Sequence, residues 1–155
     1  KINKAQAHCD IPCKVYDPAV IQYSCLSLVR FMDLINDEIK DSDMNAAKIA
    51  QLARLTAVKE EHAKEVKNEI ATIWGDYFKE PQISKHPEIH DLTHSIMQMA
   101  SKCKQDIDRN HGVELLKKVN KFTEIFWETK NVKTQKCFAP YPPELVIVCP
   151  ILKSA

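Results

Sequence analysis

Apolar residues return every three or four positions through most of this chain, the spacing that gives a helix one buried face. Asp17-Pro18 pairs a side-chain acceptor with a proline suited to the first helical position. Ile21, Leu28, Phe31, Met32 and Ile35 follow at helical intervals, which predicts a helix over 18–40. Asp41-Ser42-Asp43 interrupts the pattern. Ile49, Leu52, Leu55, Val58, Val66, Ile70 and Ile73 then form a long stripe, a second helix over 44–78. Pro81 and Pro87 break the chain, and Pro87 opens a third repeat through Ile89, Leu92, Ile96 and Met99, a helix over 87–104. Polar residues from Lys104 to Gly112 predict a turn. Val113, Leu116, Val119, Phe122 or Thr123, Phe126 and Trp127 define a fourth helix. Four amphipathic helices on short connections pack most simply as an up-down four-helix bundle, so the expected fold class is all-α.

Beyond Asn131 the character of the chain changes. Cys137-Phe138-Ala139-Pro140-Tyr141-Pro142-Pro143-Glu144 precedes the apolar run Leu145-Val146-Ile147-Val148-Cys149, which predicts an irregular C-terminal tail. A stiff proline segment followed by an adhesive apolar one reads as a docking element. The chain thus divides into a pre-segment 1–7, a bundle domain 8–131 and an extension 132–155.

Composition narrows the field. With 155 residues the chain builds a core without staples, and only two glycines favour helices over tight-turned strands. A net charge of +1, from 22 basic and 21 acidic residues with no basic block, excludes a nucleic-acid partner. No run reaches the roughly 18–20 apolar residues that a membrane span needs, which leaves peripheral attachment as the one membrane role. Six cysteines stand at 9, 13, 25, 103, 137 and 149. Cys25 and Cys103 read as buried small hydrophobes, while Cys137 and Cys149 either close a disulfide across the tail in an oxidising compartment or stay free. Ala5-Gln6-Ala7 has the small-x-small form of a processing site. Cleavage there leaves His8 as the N-terminus and places the protein in an exported or organellar compartment, a lumen included.

The strongest chemical signal is His8-Cys9-Asp10-Ile11-Pro12-Cys13-Lys14-Val15-Tyr16-Asp17-Pro18, where an imidazole and two potential thiolates occupy six consecutive residues. Such nitrogen and sulfur donors suit nickel or copper(II) in a square plane, and anionic thiolates stabilise a higher oxidation state. The segment resembles the metal hook of the nickel superoxide dismutase family. Ile73-Trp74-Gly75-Asp76-Tyr77-Phe78-Lys79-Glu80-Pro81 and Ile125-Phe126-Trp127-Glu128-Thr129-Lys130 extend the resemblance from His8 to about Asn131. It implies a nickel ion held by the thiolates of Cys9 and Cys13, the backbone amide of Cys9, and the free α-amine and imidazole of His8. That set forms only if His8 is the free N-terminus. The resemblance also implies supporting roles for Asp10 and Tyr16 beside the hook and for Tyr77 and Lys79 at the end of the second helix. The tyrosines limit access by anions, and Lys79 adds positive charge for an anionic substrate. The reaction implied is disproportionation of superoxide to dioxygen and hydrogen peroxide, in a homo-oligomer of bundles.

Three positions depart from the family pattern. Lys14 replaces a glycine after the second cysteine, Ser24 a first-helix glutamate that orients the imidazole, and His62 a second-helix arginine. These, with the two extensions, support an alternative: a non-catalytic relative serving as a structural subunit of a larger assembly, binding its partners through its N- and C-terminal extensions, residues 1–7 and 132–155. Elsewhere, His86, His90 and His94 fall at spacing that suits zinc, but a solvated stripe is the simpler expectation. Lys59-Glu60-Glu61-His62 reads as an exposed helix face, and Trp74, Phe78, Phe126 and Trp127 as core aromatics.

Overall fold

The computed structural model describes residues 14–40 and 43–154. The pre-segment 1–7, the proposed hook residues His8, Cys9, Asp10 and Cys13, and the interrupting Asp41 and Ser42 lie outside the described residues. The elements in chain order are α1 (Ala19–Glu38), α2 (Ala46–Thr72), a π-helical turn (Ile73–Tyr77), α3 (Glu80–Lys85), α4 (Ile89–Gln105), α5 (Arg109–Thr129), β1 (Thr134–Phe138) and β2 (Val146–Pro150). The long helices α1, α2, α4 and α5 pack each against the next, and α5 closes back on α1. This is the up-down bundle that the periodicity predicts.

Caps start the helices where the sequence places acceptors. Asp17 Oδ1 accepts the Ala19 amide at 2.8 Å, Asn45 Oδ1 that of Lys48 at 3.0 Å, and Asp108 Oδ1 that of Asn110 at 2.9 Å. Ile21, Leu28, Met32, Ile70, Ile96 and Phe122 are among the side chains fully buried between them. α5 begins at Arg109, so part of the polar run expected to form a turn is helical. Gly112 explains the shift: a Cβ there would lie 2.7 Å from Val29 Cγ2 and 3.2 Å from Leu28 Cδ2, so its missing side chain lets α5 approach α1 closely.

The end of the second helix differs from the uninterrupted helix to 78. α2 stops at Thr72, and the π-helical turn closes with the Phe78 amide bonded to the Ile73 carbonyl at 3.3 Å. The proline-containing break is itself a short helix. Pro81 sits in the first turn of α3, where its missing N–H costs nothing, and Gln82 Oε1 accepts the Lys79 amide at 3.1 Å.

Lys59 corrects the reading of an exposed face. Its side chain is 1% exposed, and Nζ donates to the carbonyls of Cys103, Lys104 and Asp106 at 2.8, 2.9 and 2.6 Å, where α4 ends with orphan acceptors. Burial pushes its pKa down.

The extension is likewise not irregular. β1 and β2 form an antiparallel hairpin, with Phe138 opposite Val146 and Cys137 opposite Ile147. Val146-Ile147-Val148 is a β-branched run that prefers strand. The buried Gln22 of α1 completes the pairing: its amide accepts the Val148 N–H at 2.7 Å and donates to the Val148 carbonyl at 3.0 Å. Asn120 Nδ2 reaches the Val146 carbonyl at 2.7 Å, and Ala139, Ile147 and Val148 are buried. The surface on which this tail docks is therefore its own bundle. No described helix is long and apolar enough to cross a membrane.

Candidate metal centre

The described chain opens at Lys14 in the left-handed region, with φ of 60°. Glycine adopts this conformation without strain, whereas here a lysine holds it. Tyr16 follows and brings its ring to 6.0 Å from that of Tyr77, centroid to centroid. The π-helical turn determines where Tyr77 points, because its extra residue rotates the last positions of the second helix relative to an α-helical course.

Tyr77 is held on every side. Its ring lies 4.8 Å from Phe126 and 5.3 Å from Phe78, and Lys130 Nζ stands 4.7 Å above it and 5.0 Å from the Phe126 ring. The Thr129 hydroxyl donates to the Phe126 carbonyl at 2.6 Å, so the Tyr77 hydroxyl donates to Thr129 Oγ1, also at 2.6 Å. Lys79 is exposed, with Nζ bonded to the Gly75 carbonyl at 2.7 Å. Tyr16, Tyr77 and Lys79 thus share one end of the bundle with Phe126, Thr129 and Lys130. Sequence reasoning gave Thr129 and Lys130 no role and Phe126 only a place in the core, although all three lie in the second distant motif.

The α1–α2 seam holds a further group that the sequence did not reveal. Ser24 Oγ donates to Glu65 Oε2 at 2.6 Å, and His62 Nδ1 lies 3.3 Å from the same oxygen. The His62 ring stacks on Phe31 at 5.6 Å. Both departing residues, Ser24 and His62, therefore meet on one carboxylate, which α2 supplies in place of α1.

Other candidates resolve differently. His86 is buried beside Glu88 at 3.5 Å, His90 accepts the Trp74 indole N–H at 3.1 Å, and His94 is exposed, so the three are neither a shared ligand set nor one solvated stripe. Trp74 is 37% exposed and is not a core aromatic, unlike Phe78, Phe126 and Trp127. Cys25 and Cys103 are fully buried. Burial first and then Cys103 raise the Cys25 pKa, and burial first and then Asp106 push Cys103 up to about 12, which leaves both as inert thiols. Among the described residues no group of three or more His, Cys, Asp or Glu is placed to hold a metal. The donor set that suits nickel, two thiols and an imidazole, belongs to the segment immediately before Lys14.

A helical bundle with a tyrosine pair at one end, in a chain that carries nitrogen and sulfur donors at His8, Cys9 and Cys13, defines a class of metalloprotein. The family model of nickel-containing superoxide dismutase matches residues 3–130, and the chain belongs to that family. It is similar to the nickel superoxide dismutase of Streptomyces seoulensis, 34% identical over 130 residues that cover 83% of this chain and 92% of the relative. That of Streptomyces coelicolor is 33% identical over 125 residues, covering 81% and 89%. The solved native nickel superoxide dismutase superposes with a TM-score of 0.69 at 32% identity, covering 79% of this chain and 99% of the other. Its oxidised-state counterpart gives 0.70 at 31%, covering 80% and 99%.

Proposed function

We propose that this chain is a nickel superoxide dismutase, in which two superoxide anions and two protons become dioxygen and hydrogen peroxide. The observation that carries this is the Tyr16–Tyr77 ring pair, whose Tyr16 follows the His8, Cys9 and Cys13 donors in the sequence. Nickel held by those residues supplies the one-electron cycling. The protein's share is access, charge and orientation. The two rings narrow the approach, and the Tyr77 hydroxyl is committed to Thr129, so the phenol is fixed in place. Lys79 and Lys130 set two cations around this pair, which favours an anionic substrate where the whole-chain charge of +1 offers little steering. Glu65, tied to Ser24 and His62, takes over the orienting role that the family gives to the α1 glutamate. Asp10 completes the hook.

The Ala5-Gln6-Ala7 segment supports processing to a free His8 in an exported or organellar compartment, and the family supports an oligomer of bundles. The alternative of a purely structural subunit loses most of the support that it drew from the tail, because Ile147 and Val148 are buried on the chain's own helices. Stopped-flow superoxide decay with the nickel-loaded protein tests the proposal: catalysis that disappears in C9S and C13S supports it, and a rate equal to buffer with nickel bound contradicts it.

A further inference from the structure

We propose that Cys137 and Cys149 form a dithiol–disulfide couple, oxidised by hydrogen peroxide, that locks the C-terminal hairpin. Cys137 faces Ile147 across the ladder and Cys149 faces Gln135, so the cysteines are diagonal neighbours whose side chains share one face of the hairpin. Both are free and only partly buried, whereas Cys25 and Cys103 are sealed in the core. Burial first, and then the neighbouring Cys137, raise the pKa of the Cys149 thiol, which makes it the poorer attacking group.

The chemistry balances. The Cys137 thiolate attacks one peroxide oxygen and the O–O bond breaks, giving a sulfenic acid and hydroxide. The Cys149 sulfur then displaces the sulfenic oxygen, and its proton leaves with it as water. Two thiols and one peroxide thus become one disulfide and two waters. As to the source of oxidant, this rests on the dismutase reading above, whose product is peroxide. Diagonal residues have Cα atoms about 7–8 Å apart, beyond the roughly 4.4–6.8 Å usual for a disulfide. Closure draws the strands together, so the bridge is expected to be readily reduced, a reversible lock. The strand that it fixes is the one that docks on Gln22.

The test uses the full-length, nickel-loaded protein treated with one equivalent of added peroxide, alkylated under denaturing conditions and digested with trypsin without reduction. No Lys or Arg lies between Cys137 and Leu152, so both thiols fall in the single peptide 137–153. The expected product is that peptide lacking two hydrogens and both alkyl groups, its halves still joined after cleavage at Glu144 and released by dithiothreitol. C137S should leave Cys149 free. Amide exchange in β1 and β2 should slow about tenfold in the oxidised protein. Both thiols alkylated after peroxide, an over-oxidised Cys137 without a cross-link, or unchanged exchange would overturn the proposal. Because peroxide is added, a dismutase assay on the same sample fails or succeeds independently.

Discussion

Replacing Lys59 by methionine keeps the aliphatic stem that crosses the core but removes the ammonium that bonds three carbonyls at the end of α4. Of these bonds the one to Cys103 is buried and those to Lys104 and Asp106 are partly buried. One acceptor is therefore stranded away from water while two can be partly rehydrated. A stranded buried carbonyl costs about 1–3 kcal/mol, and hydrogen bonds to a charged donor contribute roughly 1.5–3 kcal/mol when intact. The desolvation that lowers the Lys59 pKa offsets part of this gain. The net loss expected is about 2–4 kcal/mol, a large share of the roughly 5–15 kcal/mol typical of a domain. For this chain length that is a fall in Tm of about 4–16 °C. Urea unfolding followed by circular dichroism, with the slope unchanged, measures it. The exposed Lys64→Met is the control and should stay within about 0.5 kcal/mol of the parent. If Lys59→Met proves no more harmful than Lys64→Met, the capping role of Lys59 is wrong.

Gly112→Ala forces a methyl against Val29. The expected cost is about 1–2 kcal/mol after the helix-propensity gain, and a Tm equal to the parent's would refute the close α1–α5 approach. Lys14→Gly relieves the positive φ and should add roughly 0.5–1 kcal/mol in urea titration, whereas a loss would mean that the Lys14 side chain contributes compensating contacts. Glu65→Gln should lower nickel affinity about 10-fold to 100-fold with the fold intact. Unchanged affinity with a lower Tm would make Glu65 only a tie between helices. Cys103 keeps its proton up to about pH 12 in the folded chain, while the unfolded thiol loses it near 9. Stability is therefore full below that lower value and falls as pH rises through the window. Urea midpoints at about pH 8 and about pH 10.5 should show the fall, and Cys103→Ala should lessen it, with buried Cys25 supplying what is left.

The four bundle helices were legible because their apolar spacing and the acceptor at Asp17 act locally. What escaped depends on partners far away in sequence. Lys59 lies on the buried face four residues from both Leu55 and Ala63, a signal that was available, but only the end of α4 explains why a cation belongs there. Gly112 looked like a turn residue until Val29 was seen against it. The hairpin needed Gln22, more than a hundred residues earlier, to satisfy its backbone. Of the site, Tyr16, Tyr77 and Lys79 could be inferred by resemblance, whereas Glu65 became visible only when Ser24 and His62 met on its carboxylate.

The most direct test of nickel chemistry in this chain is intact mass and N-terminal sequencing of the native protein, with nickel content determined on the same sample. The account predicts a chain beginning at His8 and carrying about one nickel. A chain that retains residues before His8 and is devoid of nickel would contradict it.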